Sequence, residues 1–292
     1  AHDNRVGLTF DGNLDDLLAN LVGHVGYDAL VMSFHPALGP DQFPIAPTAF
    51  LLSGKGSREF SQALGMTLQA QLAAKLEAGL LAMQLQVSAD KQAKLLAYLS
   101  LIVKWNKVHN LTAIRDPLDM VSLHLLDSLS VLPHVQALSA KSLLDVGAGA
   151  GLPSIPLAIC LPELQVTAID SVQKKASFMR QVKGELALHN FHVASGRVEA
   201  LKPDGINNGS GFDVIISRAF SELALFVKLS RHLLAKTGLW LAMKGVLPQQ
   251  ELAAQQFQCM ADEQDGVALV KIEVLKVAGL DAERHLVFLN LK

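Results

Sequence analysis

Between positions 68 and 103 the apolar residues fall on helical spacing. Leu68, Leu72, Leu76, Leu80 and Leu81 recur every few positions, and Leu95, Leu96, Leu99, Ile102 and Val103 do so again after Ser88, a residue with the chemistry of an N-cap. In "RDPLDMVSLHLLDSL" Asp116 stands as a cap with Pro117 at the first helical position, and the pattern winds through Met120, Leu123 or His124, Asp127 and Leu129 to about Pro133. Residues 66–138 are therefore expected to be a helical N-terminal subdomain. After Ser139 the period changes. Short apolar runs, "SLLDVG", "QVTAID", "FHVAS", "FDVIIS" and "GLWLAMK", alternate with helical stretches such as "SVQKKASFMRQVKGELAL", which predicts an α/β fold with a mostly parallel sheet and right-handed crossovers over residues 139–292. Two late runs, "GVALVKIEVLKV" and "RHLVFLNLK", have no helical pattern between them and suit an antiparallel pair at one edge.

Residues 1–65 fit neither pattern. They are rich in glycine and proline ("HPALGPDQFPIAPTAF"), and "DALVMSF" reads as a strand with no evident partner. The segment is expected to be an extension to a domain that starts near Met66, or else a small accessory module, and no function follows from it.

Composition narrows the class. Half of the 292 residues are hydrophobic and 18% are charged, the balance of a chain that buries a core. A formal net charge of -2 argues against a globally basic nucleic-acid coat but leaves local basic patches open. The two cysteines, Cys160 and Cys259, lie far apart, so no disulfide framework is expected and a reducing, cytoplasmic setting is. The charge-free stretch from Val146 to Pro162 is broken by glycines and prolines and makes a poor membrane span.

The chemistry begins at "LLDVGAGAGLPSIPLA". Gly147, Gly149 and Gly151 follow the first strand of the α/β region, where the backbone of a parallel sheet approaches a ligand most closely. Glycine there admits positive φ and removes side chains that would collide with the ligand. The spacing G-x-G-x-G differs by one position from the dinucleotide fingerprint. Pro153 and Pro156 crowd the following helix start and no basic residue is near, whereas a pyrophosphate wants an open helix N-terminus. S-adenosylmethionine, which has no phosphate, is favoured. Asp170, ending the second strand, is placed to accept hydrogen bonds from ribose hydroxyls with either ligand.

Together, "KWNKVHNLTAIRDPLDMVSLHLLDSL", the glycine segment, "IISRAF", "LAMKG" and "ERHLV" resemble the bacterial RNA methyltransferase family RsmG, also called GidB, in one collinear order over about residues 68–292. The resemblance implies a Rossmann-like class I methyltransferase domain that transfers methyl from S-adenosylmethionine to N7 of a guanine in 16S ribosomal RNA. It implies that Gly147, Gly149 and Leu152 line the cofactor, Asp170 binds its ribose, Val198 and Glu199 frame the adenine, and Arg218 follows the fourth strand to meet either the cofactor carboxylate or RNA. The chain departs from the family at Leu123, where a basic residue is expected, and at Ser154, where glycine is usual.

Candidate positioning residues for the RNA are Arg218, Lys244, Arg284 and His285, with Lys104, Lys107 and Arg115 flanking "WNKVHNLT". Lys174, Lys175, Arg180 and Lys183 read more simply as a solvated helix face, Trp105 as helix packing rather than a base-stacking platform, and Asp127 as a hydrogen-bond partner for His124. No general base and no metal are expected. The partner is 16S ribosomal RNA or the small ribosomal subunit, with no membrane, and the protein is expected to be a monomer. A methyltransferase for another RNA, a small molecule or a protein, and a noncatalytic RNA-binding protein on the same fold, are the alternatives; an oxidoreductase ranks last.

Overall fold

The computed structural model describes residues 67–202, 209–218, 220, 222–254, 257 and 266–292. Residues 1–66, including "DALVMSF", lie outside them. Thr67 to Lys292 form one compact unit.

Helix α1 (Leu68–Ala82) starts at Thr67, whose hydroxyl accepts the Ala70 N–H at 3.3 Å. Leu72, Leu76 and Leu80 are buried, but Leu68 and Leu81 are more than half exposed: Leu81, adjacent to Leu80, turns off the stripe at 100° per residue, and Leu68 is the first residue of the helix. Helix α2 (Ala89–His109) has Ser88 at its N-cap in extended geometry; the hydroxyl bonds the Asp90 carboxylate and makes no hydrogen bond to the helix backbone. Asp116 caps α3 (Pro117–Met120) as the sequence predicts, accepting the Leu118 N–H at 2.8 Å. The helix then widens into a π-helical segment at Val121–Leu126 before a further α-helical turn at Asp127–Leu129. A short α4 (Leu132–Ala137) ends the helical region.

Strand β1 (Ser142–Val146), α5 (Ser154–Cys160), β2 (Gln165–Asp170), α6 (Gln173–Glu185), β3 (Phe191–Ser195), β4 (Phe212–Arg218), α7 (Leu223–Ser230), β5 (Leu234–Lys244), α8 (Gln249–Ala253), β6 (Val267–Val274) and β7 (His285–Leu291) follow. Among the described residues seven strands form one sheet in the order β3-β2-β1-β4-β5-β7-β6. β1 to β5 are parallel. β7 runs antiparallel to both neighbours, Lys244 pairing with His285 on one side and Val274 with His285 on the other. The late pair is thus antiparallel at one edge as predicted, with the last strand lying inside β6. Strand β5 begins earlier than "GLWLAMK", at Leu234, where Phe212 pairs with Leu234 ahead of a register shift.

The sheet is covered on both faces. One core joins α1–α4, α5 and α6 to sheet residues Leu143, Val166, Val214, Leu241 and Phe288. The other packs Phe226, Val227 and Trp240 around Leu144 and Ile215. The helices that precede β1 therefore share their core with the sheet. Two polar bonds reinforce this: the buried Tyr98 hydroxyl of α2 donates to the Ala150 carbonyl at 2.7 Å, and the half-buried Lys91 Nζ donates to the Cys160 carbonyl at 3.0 Å. Among the described residues, no helix is long and apolar enough to cross a membrane.

Candidate active site at the carboxyl end of the sheet

The turn after β1 has the geometry its glycines predict. Gly147, Gly149 and Gly151 adopt φ of 72°, 62° and 87°, values that a side chain makes costly. A Cβ on Gly147 would meet nothing within 4 Å, and one on Gly149 only the Gly147 carbonyl at 4.0 Å. Gly151 differs, since its Cβ would run into the Ile155 side chain. The first two glycines border open space, and the third lets the turn pack on α5.

Asp170 holds this turn in place. Its Oδ2 accepts the Gly149 N–H at 2.9 Å, its Oδ1 accepts the Val172 N–H at 2.8 Å, and Lys175 Nζ stands 3.8 Å away. The Asp170 carbonyl also accepts the Gly196 N–H at 3.1 Å, which draws the turn bearing Val198 and Glu199 toward the tip of β2. Val198 is buried and Glu199 exposed, and Leu152 is buried beneath the glycine turn. The cofactor residues expected on β1, β2 and β3 are thus linked through Asp170. Replacing Asp170 by Ala should do more than delete an acceptor for a ligand. It strands two backbone N–H groups, at about 1–3 kcal/mol each where they are screened from water, so thermal unfolding should move down together with cofactor affinity. Loss of affinity at unchanged melting temperature would show that the latch has no structural weight.

Sequence reasoning missed Asp145, the acid inside the apolar run "SLLDVG". It is fully buried; Oδ2 accepts the Ser154 N–H at 3.2 Å, while Oδ1 has no hydrogen-bond partner. Burial raises its pKa to about 7 despite opposing hydrogen bonds from Ser154 and the charge of Arg218, and Asp170 pushes the same way as burial. An acid in an otherwise apolar strand was the available signal. The structure gives a test of which ligand fits. Two carboxylates flank the glycine turn, and they would repel a pyrophosphate. A buried, unpartnered carboxylate oxygen on the strand that leads into the turn instead suits a ligand carrying a cationic amino group and a sulfonium, as S-adenosylmethionine does.

The expected cations are placed as follows. Arg218, ending β4, donates from Nη1 to Asp127 Oδ2 at 3.0 Å and to the Leu123 carbonyl at 3.2 Å; Arg284, just before β7, donates from Nε to Asp127 Oδ1 at 2.8 Å. Asp127 is therefore an anchor for two arginines, and the hydrogen-bond partner of His124 is the Thr112 hydroxyl, 2.9 Å from Nε2. Burial, and next the charge of Arg218, lower the His124 pKa to about 4. Lys244 Nζ lies 2.8 and 2.9 Å from the Glu251 carboxylate and donates to the Phe220 carbonyl. Glu251 in turn accepts the Leu223 N–H that opens α7. His285 Nδ1 bonds the Gly245 carbonyl at 2.9 Å. Arg115 is drawn back onto Asn106 and Asn110. Trp105 donates to Gln181 and packs edge-on against Phe178, the structural role favoured from sequence.

A mostly parallel sheet with a reversed penultimate strand, a glycine turn after β1 and an acid closing β2 define a Rossmann-like methyltransferase of class I. Residues 91–287 match the family GidB, described as rRNA small subunit methyltransferase G, and the chain belongs to that family. A ribosomal RNA small subunit methyltransferase G from Methylobacillus flagellatus is 62% identical over 217 residues, covering 74% of this chain and 96% of that protein. Its counterpart from Aromatoleum aromaticum is 49% identical over 222 residues, 75% of this chain and 98% of its own. Among solved structures, an O-methyltransferase from Bacillus cereus in complex with SAH aligns over 67% of this chain and 91% of its own at TM-score 0.48 and 17% identity, a distance at which nothing about chemistry transfers.

Proposed function

We propose that this chain transfers a methyl group from S-adenosylmethionine to N7 of a guanine in 16S ribosomal RNA, acting in the cytoplasm on the RNA of the small subunit. Family membership carries the reading, and the open glycine cradle between two carboxylates supports the cofactor. Bound there, S-adenosylmethionine supplies an electrophilic methyl carbon on a sulfonium.

The chain's own task is positioning. Gly147, Gly149 and Leu152 shape the cradle, Asp145 and Asp170 supply acceptors, and Val198 and Glu199 border the adenine side. Guanine N7 carries an in-plane lone pair and no proton, so no side chain has to remove one. Orientation and exclusion of water then supply the rate enhancement, of which holding the two reactants in line contributes roughly 7 kcal/mol or more. Arg218, Lys244, Arg284 and His285 serve to order this end of the sheet and the RNA against it, with none of them exchanging a proton.

The test is transfer of radiolabelled methyl to small-subunit ribosomal RNA, with free nucleotides and ribosomal proteins as competing acceptors. Label should appear in the RNA as 7-methylguanine, and label confined to protein or nucleotide overturns the reading. Under saturating cofactor and RNA, the single-turnover rate should vary less than about threefold between pH 6.5 and 9. A log-linear rise with pH, removed by replacing one histidine or carboxylate, would reveal a general base.

A further inference from the structure

The basic residues of α6, which the sequence presents as one solvated face, divide between its two ends. Lys174 and Lys175 lie in the first turn, where Lys175 Nζ stands 3.8 Å from Asp170. Arg180 and Lys183 belong to the other end, where the helix closes toward β3. There the carbonyls of Val182, Lys183 and Gly184 accept the N–H groups of Leu186, Leu188 and Ala187, and Ala187 turns through a φ of 50°. This reversal brings His189 back beside the last helical turn. Arg180, Lys183 and His189 line one cavity of about 340 Å³ with Gly184, Ala187 and Leu188.

The cavity has no internal counter-ion. Among the described residues, the side chains of Arg180, Lys183 and His189 make no hydrogen bond and no ion pair. The acid nearest in sequence, Glu185, accepts from Gln181, which itself accepts the Trp105 N–H of α2. At 100° per residue Glu185 stands about 140° round the helix from Arg180 and about 160° from Lys183, so it is turned away from the cavity. His192 of β3 is bonded to Gln165, and burial, then the charge of Lys183, holds its pKa down, so it adds no charge at neutral pH. Gly184 is an independent sign. Glycine weakens a helix relative to alanine, yet a Cβ here would meet nothing within 4 Å. Packing does not demand the glycine, and its missing side chain keeps the cavity clear one turn beyond Arg180.

Helix α6 leaves the tip of β2 and returns against the strand direction to start the parallel strand β3, and its 13 residues span about 20 Å. The cavity therefore sits at the amino end of β3, far from the glycine turn. Two unpaired cations and a ring N–H donor around one cavity complement a phosphate. A molecule that reaches both this cavity and the site of methyl transfer must be extended and carry phosphates along its length, as an RNA strand does. We propose that Arg180, Lys183 and His189 form a docking site for a phosphodiester of the small-subunit ribosomal RNA, remote from the guanine that is methylated. This rests on the reading of the chain as an RNA methyltransferase.

The experiment uses the full chain and deproteinised small-subunit RNA. Filter binding across a salt series is combined with calorimetric titration of the cofactor. Arg180→Ala/Lys183→Ala should weaken RNA binding about tenfold and reduce the slope of log affinity against log salt by about one. The RNA KM should rise by a similar factor, while single-turnover methyl transfer at saturating RNA and the cofactor Kd stay within about twofold. Arg180→Lys/Lys183→Arg, which keeps both charges, should keep the wild-type salt slope. Gly184→Glu sets a carboxylate one turn from Arg180 and removes no cation; it should reproduce the RNA loss with a melting temperature no lower than that of the wild type. Unchanged RNA affinity and salt slope in Arg180→Ala/Lys183→Ala overturn the proposal, and so does an equal loss of cofactor affinity. Calorimetric titration with inorganic phosphate tests for a free-anion site: phosphate bound by the wild type, with RNA affinity untouched in both variants, overturns the assignment to RNA. If the wild type binds the RNA and transfers no methyl, the proposed function fails, and the RNA loss in the variants still supports the docking site.

Discussion

Gly147→Val should weaken cofactor binding by roughly a hundredfold or more and leave a folded protein. Residue 147 sits at φ 72°, so any side chain there strains the backbone, at about 1–3 kcal/mol. The added Cβ displaces no protein atom, because none lies within 4 Å. For a unit of this size the strain should lower the melting temperature by roughly 2–10 °C. The isopropyl group would project into the open space proposed for the ligand, and affinity should fall by a factor of roughly 100 or more, about 2.7 kcal/mol. Gly151→Val is the informative contrast. Its Cβ would overlap the Ile155 side chain, adding overpacking of about 1–3 kcal/mol to similar backbone strain. Calorimetric titration and thermal unfolding of the two variants should separate a ligand-space glycine from a packing glycine. Wild-type affinity in Gly147→Val would remove the cradle from the cofactor site.

Asp145 should make cofactor binding release a proton. With its pKa raised to about 7 in the free protein, a cationic ligand group seated in the proposed cradle would favour the ionised form. Affinity should therefore rise with pH and level off above about 7, being about tenfold weaker at pH 6 than at pH 8. Asp145→Asn should lower the plateau affinity and erase the pH dependence; a variant that keeps the wild-type slope would assign the proton to another group. The stability of the ligand-free protein follows the same linkage. A carboxyl whose pKa is raised by folding contributes stability that is fully present below its unfolded pKa of about 3.8 and is lost as pH rises through about 7. His124 has the opposite sign, since its depressed pKa gives stability present above about 6.5 and lost as pH falls through about 4. Thermal unfolding of Asp145→Asn between pH 4 and 7 should lack the first of these slopes and keep the second.

What the sequence disclosed was local. The Asp116–Pro117 helix start, the three positive-φ glycines and the parallel strands each depend on residues close together in the chain, and pattern alone finds them. Asp127 shows the other case. Its partners Arg218 and Arg284 are 91 and 157 residues away, so only the closed sheet brings them together, and from sequence the near neighbour His124 looked the better match. The pairing of Lys244 with Glu251 was hidden for a different reason. The two are only seven residues apart, but β5 ends between them and the chain must turn back through α8 for the charges to meet. The π-helical segment left no signature, because "VSLHLL" suits an ordinary α-helix equally well.

The interior place of β7 bears on how the chain is made. Strands β1 to β5 can assemble in order as they leave the ribosome, but the edge of β5 has no partner until residues 285–291 arrive, and β6, synthesised before them, has nothing to pair with. A nascent chain therefore carries a bare strand edge through the whole synthesis of β6, the kind of surface on which neighbouring chains join. The segment that covers it brings Arg284 to Asp127 in the same movement. Sheet closure and completion of the arginine pair are one event, and a partly made chain lacks both.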